Sequence, residues 1–160
     1  MKSLTGHSQT VIANKGKKIL MPDIEYKRPD GRKKYLSIAK HQANANNRHS
    51  KWISMNIERD LFDYADYGNF DKIDNGDLSW ACQEGNLWSL QQDRSNVGQN
   101  KEQFGFFQKP ANQNDEWHGF PIIPFSKKRY LISEILLKRW VSIGIITEND
   151  VPAILNKKRI

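Results

Sequence analysis

Imidazole is the side chain that exchanges a proton most readily near neutral pH, and His118 has the richest surroundings of the histidines in this chain. It sits in Glu116-Trp117-His118-Gly119-Phe120-Pro121, between two aromatic residues, with a carboxylate and a glycine close by. Lys109, Lys127 and Arg129 supply nearby cations that could hold a phosphate while His118 moves a proton, which is the chemistry of a ribonuclease or toxin working without a metal. The same six residues also read as a structural corner in which Trp117 and Phe120 anchor Ile122 and Ile123 into the core. Trp117 and Phe120 are, in addition, the aromatic pair that a docking protein partner would use. His41 and His49 lie too far apart for a local metal pair, have no cysteine beside them, and read as surface residues.

Positive charge is gathered in two places. Lys27, Arg28, Arg32, Lys33 and Lys34 surround an expected hairpin tip flanked by Tyr26 and Tyr35, and Lys127-Lys128-Arg129 forms a second cluster. Such clusters bind nucleic-acid phosphates by displacing condensed counterions; the plain alternative is a solvated loop whose charge protects a sheet edge. Over the whole chain the net charge is +7, but it is segregated. Residues 1–60 carry 13 Lys and Arg against 5 Asp and Glu, residues 61–120 carry 4 against 10, and residues 121–160 carry 8 against 3. The acidic middle can therefore face the basic ends within the fold, or face a basic partner.

The carboxylates do not form a recognisable metal loop. An EF-hand register centred on Gly76 puts Ile73 and Cys82 where ligands belong. Asp23, Glu25 and Lys27 alternate along one short segment, whereas a metal nuclease draws its acids from separated strands. Cys82 is the single cysteine, so neither an intrachain disulfide nor a multi-cysteine zinc site can form from this chain. The phosphate-loop, dinucleotide, serine-hydrolase elbow and zincin signatures are all missing. No cofactor is expected. The first residues, Met1 to His7, lack the apolar core of a secretory signal, and no window approaches the roughly 20 apolar residues of a membrane span, so the expected location is cytoplasmic.

The elements that must position these groups are an α+β set. Thr10–Ala13 and Lys18–Met21 flank the turn residues Asn14 to Lys17, and Ile24–Lys27 and Lys34–Ile38 flank Arg28-Pro29-Asp30-Gly31, with Pro29 expected at the second turn position. Two hairpins thus form a small N-terminal antiparallel sheet. A helix capped by Ser50 is expected to carry Ile53, Ile57, Leu61 and Ala65 on one face. A shorter helix is expected over residues 78–84. Residues 91–114, loaded with Gln and Asn, read as a flexible loop around one short strand. Ser133 caps a helix with Leu136, Leu137, Trp140 and Val141 on one side and Gly144 past its end, and a last helix begins at Asp150 so that Pro152 falls in its first turn. These last two helices predict an αα-corner, giving three to four helices in a single domain over residues 1–160.

The sequence therefore predicts a basic binding protein that contacts nucleic-acid phosphates through Lys27, Arg28, Arg32, Lys33, Lys34, Lys127, Lys128 and Arg129. Its rivals are a regulator of the immunity, antitoxin or phage-accessory kind, docking one protein through Trp117 and Phe120, and a ribonuclease centred on His118.

Overall fold

The computed structural model describes residues 9–14, 17–68 and 85–160. Two antiparallel hairpins open the chain: β1 (Gln9–Asn14) with β2 (Lys17–Met21), and β3 (Ile24–Tyr26) with β4 (Tyr35–Ser37), the second in register with Tyr26 opposite Tyr35. The turn beyond β3 is set one residue later than expected. Arg32 N–H donates to the Pro29 carbonyl at 3.1 Å, so Pro29 opens the turn. Gly31, at φ +85°, takes the third position, where a left-handed residue is required.

A three-stranded antiparallel sheet follows, with β6 (Phe104–Gln108) between β5 (Leu87–Leu90) and β7 (His118–Pro121). Its central strand is the one short strand expected within residues 91–114. Phe104 to Phe107 are all buried, because both faces of β6 are covered. On one face Phe107 stacks on Trp52 with ring centres 5.7 Å apart and meets Phe62 edge-on at 5.2 Å. On the other, Phe106 packs against Trp88 at 4.8 Å, Tyr130 at 5.3 Å and Phe120 at 5.7 Å. The β3–β4 hairpin joins this sheet beside β7. A parallel bridge pairs Tyr35 with Trp117, through Leu36 N–H to the Trp117 carbonyl at 2.9 Å and Trp117 N–H to the Lys34 carbonyl at 2.7 Å.

The helix α1 (Met55–Gly68) starts later than the sequence suggested. Ser54, not Ser50, caps it, its hydroxyl accepting from Ile57 N–H at 3.1 Å. Ile53 therefore lies outside the helix and is 42% exposed, while Trp52 takes its expected place in the core. Leu61, Phe62 and Ala65 are buried as the periodicity requires, but Glu58 and Asp66 are buried with them. The helix α2 (Glu134–Ser142) has Ser133 as its cap, accepting from Leu136 N–H at 3.0 Å, with Leu136, Leu137 and Trp140 buried. Gly144 follows it at φ +82°. The helix α3 (Asp150–Leu155) begins at Asp150, whose carboxylate accepts from Thr147 N–H at 2.7 Å and pairs with Arg94 at 2.7 Å. The expected helix over 78–84 and the segment tested as an EF-hand lie outside the described residues. The architecture is α+β, with three α-helices among the described residues, none long and apolar enough to cross a membrane.

Gly119 fixes how closely β7 approaches β6. A β-carbon there would lie 2.4 Å from the Phe106 carbonyl oxygen and 2.4 Å from the Phe107 ring, and neither the ladder nor the buried ring can yield cheaply. Gly119→Ala should destabilise the protein by about 3 kcal/mol, the upper end of ordinary overpacking costs, read as a lower midpoint in urea unfolding with little change of slope.

Candidate functional site

The basic hairpin and the acidic helix meet. Arg28 is 2% exposed at its side chain, and its guanidinium bonds Asp63 through Nε at 2.9 Å and Nη2 at 2.7 Å, and Asp66 through Nη1 at 2.7 Å. The same group donates to the Lys33 carbonyl and lies 4.8 Å from the centre of the Phe62 ring. Arg32 reaches Asp66 at 3.2 Å and covers the Tyr67 ring at 4.2 Å, and Lys33 reaches Asp66 at 3.4 Å. The Tyr26 hydroxyl donates to Asp63, and that bond, helped by burial, pushes its pKa up to about 12. Burial alone would raise the Asp66 carboxyl; the Arg28 hydrogen bond and the charges of Arg28, Lys33 and Arg32 outweigh it and hold the group below its usual range. Arg28, Arg32 and Lys33 are thus turned onto α1, while Lys27 and Lys34 are exposed.

The second set of residues converges differently. His118, at the start of β7, pairs across the ladder with Gln108, at the end of β6. Together with Lys109 and Arg129 they line a cleft of about 370 Å³, whose floor is Phe106 and whose rim includes Asn86 and Pro110. No carboxylate lines it among the described residues, and Glu116 is exposed elsewhere. Lys109 is held by its backbone N–H, which donates to the Asn86 side-chain carbonyl at 2.9 Å. Its aliphatic stem lies over Gly85, where a β-carbon would come within 2.8 Å of Lys109 Cδ. Gly85 itself is left-handed, at φ +65°.

Arg129 comes from a loop pinned at its base. Phe125 N–H donates to the Tyr130 carbonyl at 2.6 Å, and Tyr130 N–H to the Lys127 carbonyl at 3.0 Å. Phe125 accepts a left-handed φ of +66°, a strain that costs about 1–2 kcal/mol in a residue with a β-carbon. Burial of Tyr130 against Phe106 and Phe120 offsets it. Lys127, Lys128 and Arg129 are left exposed on this fixed support, with the Arg129 guanidinium 5.2 Å from the centre of the Tyr130 ring. Trp117 is only 5% exposed and packs on Phe62, and Phe120 is half-buried between His41 and Tyr130.

Among the buried ionisable groups that the sequence did not announce are His41 and Glu58, whose pKa values burial moves toward their neutral forms. His41, expected at the surface, is buried, its Nδ1 2.6 Å from the Ser50 carbonyl oxygen, and burial pushes its pKa down to about 4. Glu58 is 1% exposed; the Tyr35 hydroxyl donates to its Oε2 at 2.5 Å, yet burial prevails and pushes the carboxyl up to about 8. The signal for Glu58 was present, since it lies three and four residues before Leu61 and Phe62 on the apolar stripe. Among the described residues no group of three or more His, Cys, Asp or Glu side chains is placed to hold a metal ion. A separate groove of about 440 Å³, lined by Asp60, Tyr64 and Asp93, has the wrong charge for a phosphate.

These two groups set opposite pH dependences. His41 has its folded pKa lowered from 6.5 to about 4, so its contribution is complete above pH 6.5 and is lost as pH falls toward 4. Glu58 has its folded pKa raised from 4.5 to about 8, so its contribution is complete below pH 4.5 and is lost as pH rises toward 8. Each slope is about 1.4 kcal/mol per pH unit. The two contributions therefore oppose each other between pH 4.5 and 6.5, and their sum falls between 6.5 and 8. Glu58→Gln should remove that alkaline fall and uncover the rise from 4.5 to 6.5, as followed by urea unfolding across the pH series.

No protein-family model matches the chain, and no curated protein or solved structure is similar enough to count as a match, so the cleft is interpreted from its own geometry.

Proposed function

We propose that the protein binds nucleic acid, with the phosphate contacts made at the His118 cleft and the adjoining loop rather than at the hairpin tip. The observation that carries this reading is the convergence of Lys109, Arg129 and His118 on one cleft, which no carboxylate lines among the described residues. Lys127 and Lys128 extend the positive surface beside it. A volume of about 370 Å³ falls near the lower end of small-ligand sites, roughly 300–1,000 Å³, and suits one nucleotide unit with its phosphate. Arg129 offers a planar fork to phosphate oxygens and Lys109 a point charge, so the two cations supply complementary contacts. Of the hairpin residues, Lys27 and Lys34 are the ones placed to add charge at longer range; Arg28, Arg32 and Lys33 are engaged with Asp63 and Asp66. Docking of a protein through Trp117 and Phe120 has weaker support, because Trp117 is buried.

Binding of a short single-stranded RNA, followed by fluorescence anisotropy, should weaken steeply with salt. Lys109→Ala and Arg129→Ala should each lower the log–log salt slope by about 0.7, the value for one phosphate contact on a single strand, while Asp60→Asn leaves the slope unchanged or raises it. Absence of binding to both RNA and DNA at low salt would sink the proposal.

A further inference from the structure

We infer that the same cleft cleaves RNA by attack of the ribose 2′-hydroxyl on the neighbouring phosphorus, with His118 as the base; this rests on the phosphate-binding reading above. The three ionisable side chains that line the cleft among the described residues differ in what they can do with a proton. Arg129 stays charged at any physiological pH, so its part is electrostatic, holding the negative charge that builds on the phosphate oxygens. The Lys109 ammonium is a proton donor, and an imidazole such as that of His118 offers a ring nitrogen as acceptor. Acceptor, donor and permanent cation thus line one cavity of nucleotide size, and the nucleophile they lack is the one that RNA brings with it.

The step balances without a further reactant. His118 removes the 2′-hydroxyl proton as the 2′-oxygen bonds to phosphorus, the bond from phosphorus to the 5′-oxygen breaks, and that oxygen leaves with a proton from Lys109. The products are a 2′,3′-cyclic phosphate and a free 5′-hydroxyl, and exchange with water resets both side chains. The framework suits this division of labour. His118 is fixed through the β6–β7 ladder, with Gln108 directly opposite, and Lys109 is fixed by the Asn86 bond and the space above Gly85. DNA fits the same phosphate contacts and has no 2′-hydroxyl, so it should bind and remain whole.

The test compares an RNA oligonucleotide, its 2′-O-methyl form and the matching DNA, each incubated with the full chain. Expected are cyclic-phosphate ends from RNA alone, binding of all three, and loss of cleavage by about 100-fold or more in His118→Ala, in the usual range for a general base, at RNA and DNA concentrations that saturate the variant. An unchanged midpoint in urea unfolding shows that the variant is folded. Lys109→Arg, which keeps the charge but gives up no proton, should bind RNA and cut it far more slowly. If the parent protein binds RNA and leaves it intact, or if His118→Ala cuts as fast as the parent, cleavage at this site is overturned while binding stands. If the parent binds neither RNA nor DNA, both readings fall together.

Discussion

The guanidinium of Arg28, enclosed between Asp63, Asp66 and the Phe62 ring, is the contact on which the two halves of the fold depend. A buried cation is tolerated only when its hydrogen-bonding capacity is met, and here two carboxylates and the Lys33 carbonyl meet it. Tyr26, opposite Tyr35 in the hairpin, adds its hydroxyl to Asp63 from one side, and Arg32 and Lys33 add charge to Asp66 from the other. The result is a hairpin that cannot rotate on α1. Because Lys34 and Leu36 of that hairpin also hold Trp117, the clamp sets where the chain enters β7, and therefore where His118 stands.

Charge segregation along the sequence takes on a definite meaning in this light. The acidic middle includes Asp63 and Asp66, and the basic beginning includes Arg28, Arg32 and Lys33; these satisfy one another inside the molecule. The basic end differs, since Lys127, Lys128 and Arg129 stand exposed on a braced loop. Two clusters that are equivalent in composition are thus put to different uses, one in holding the fold together and one facing outward. Their sequences alone give no means of telling which is which, because the deciding factor is whether a carboxylate lies across the gap.

How much was legible follows from the same distinction between local and distant causes. Caps and turns are local: Ser133, Gly144 and the start of α3 at Asp150 were readable from single residues and their neighbours. The start of α1 was misplaced by one turn because Ser50 and Ser54 are both competent caps, and the packing of Trp52 chooses between them. Within residues 91–114 the one short strand is legible but its place at the centre of a sheet is not, because Phe104-Gly105-Phe106-Phe107 is covered on both faces and so shows no alternation, while the Gln and Asn around it resemble loop. At the site, His118, Lys109 and Arg129 were all named from sequence as partners, whereas Lys127 lies outside the cleft. What sequence could not give was Gln108 opposite His118, a matter of register across a ladder that had not been recognised.

The buried tryptophans bear on how the molecule can be watched. Trp52, Trp88, Trp117 and Trp140 all sit in the core, and Trp88 Nε1–H donates to the Leu131 carbonyl at 3.0 Å. None lines the cleft of His118. Emission from these four rings therefore reports the integrity of the packed sheet and helices, so a loss of fold carries its own optical signature.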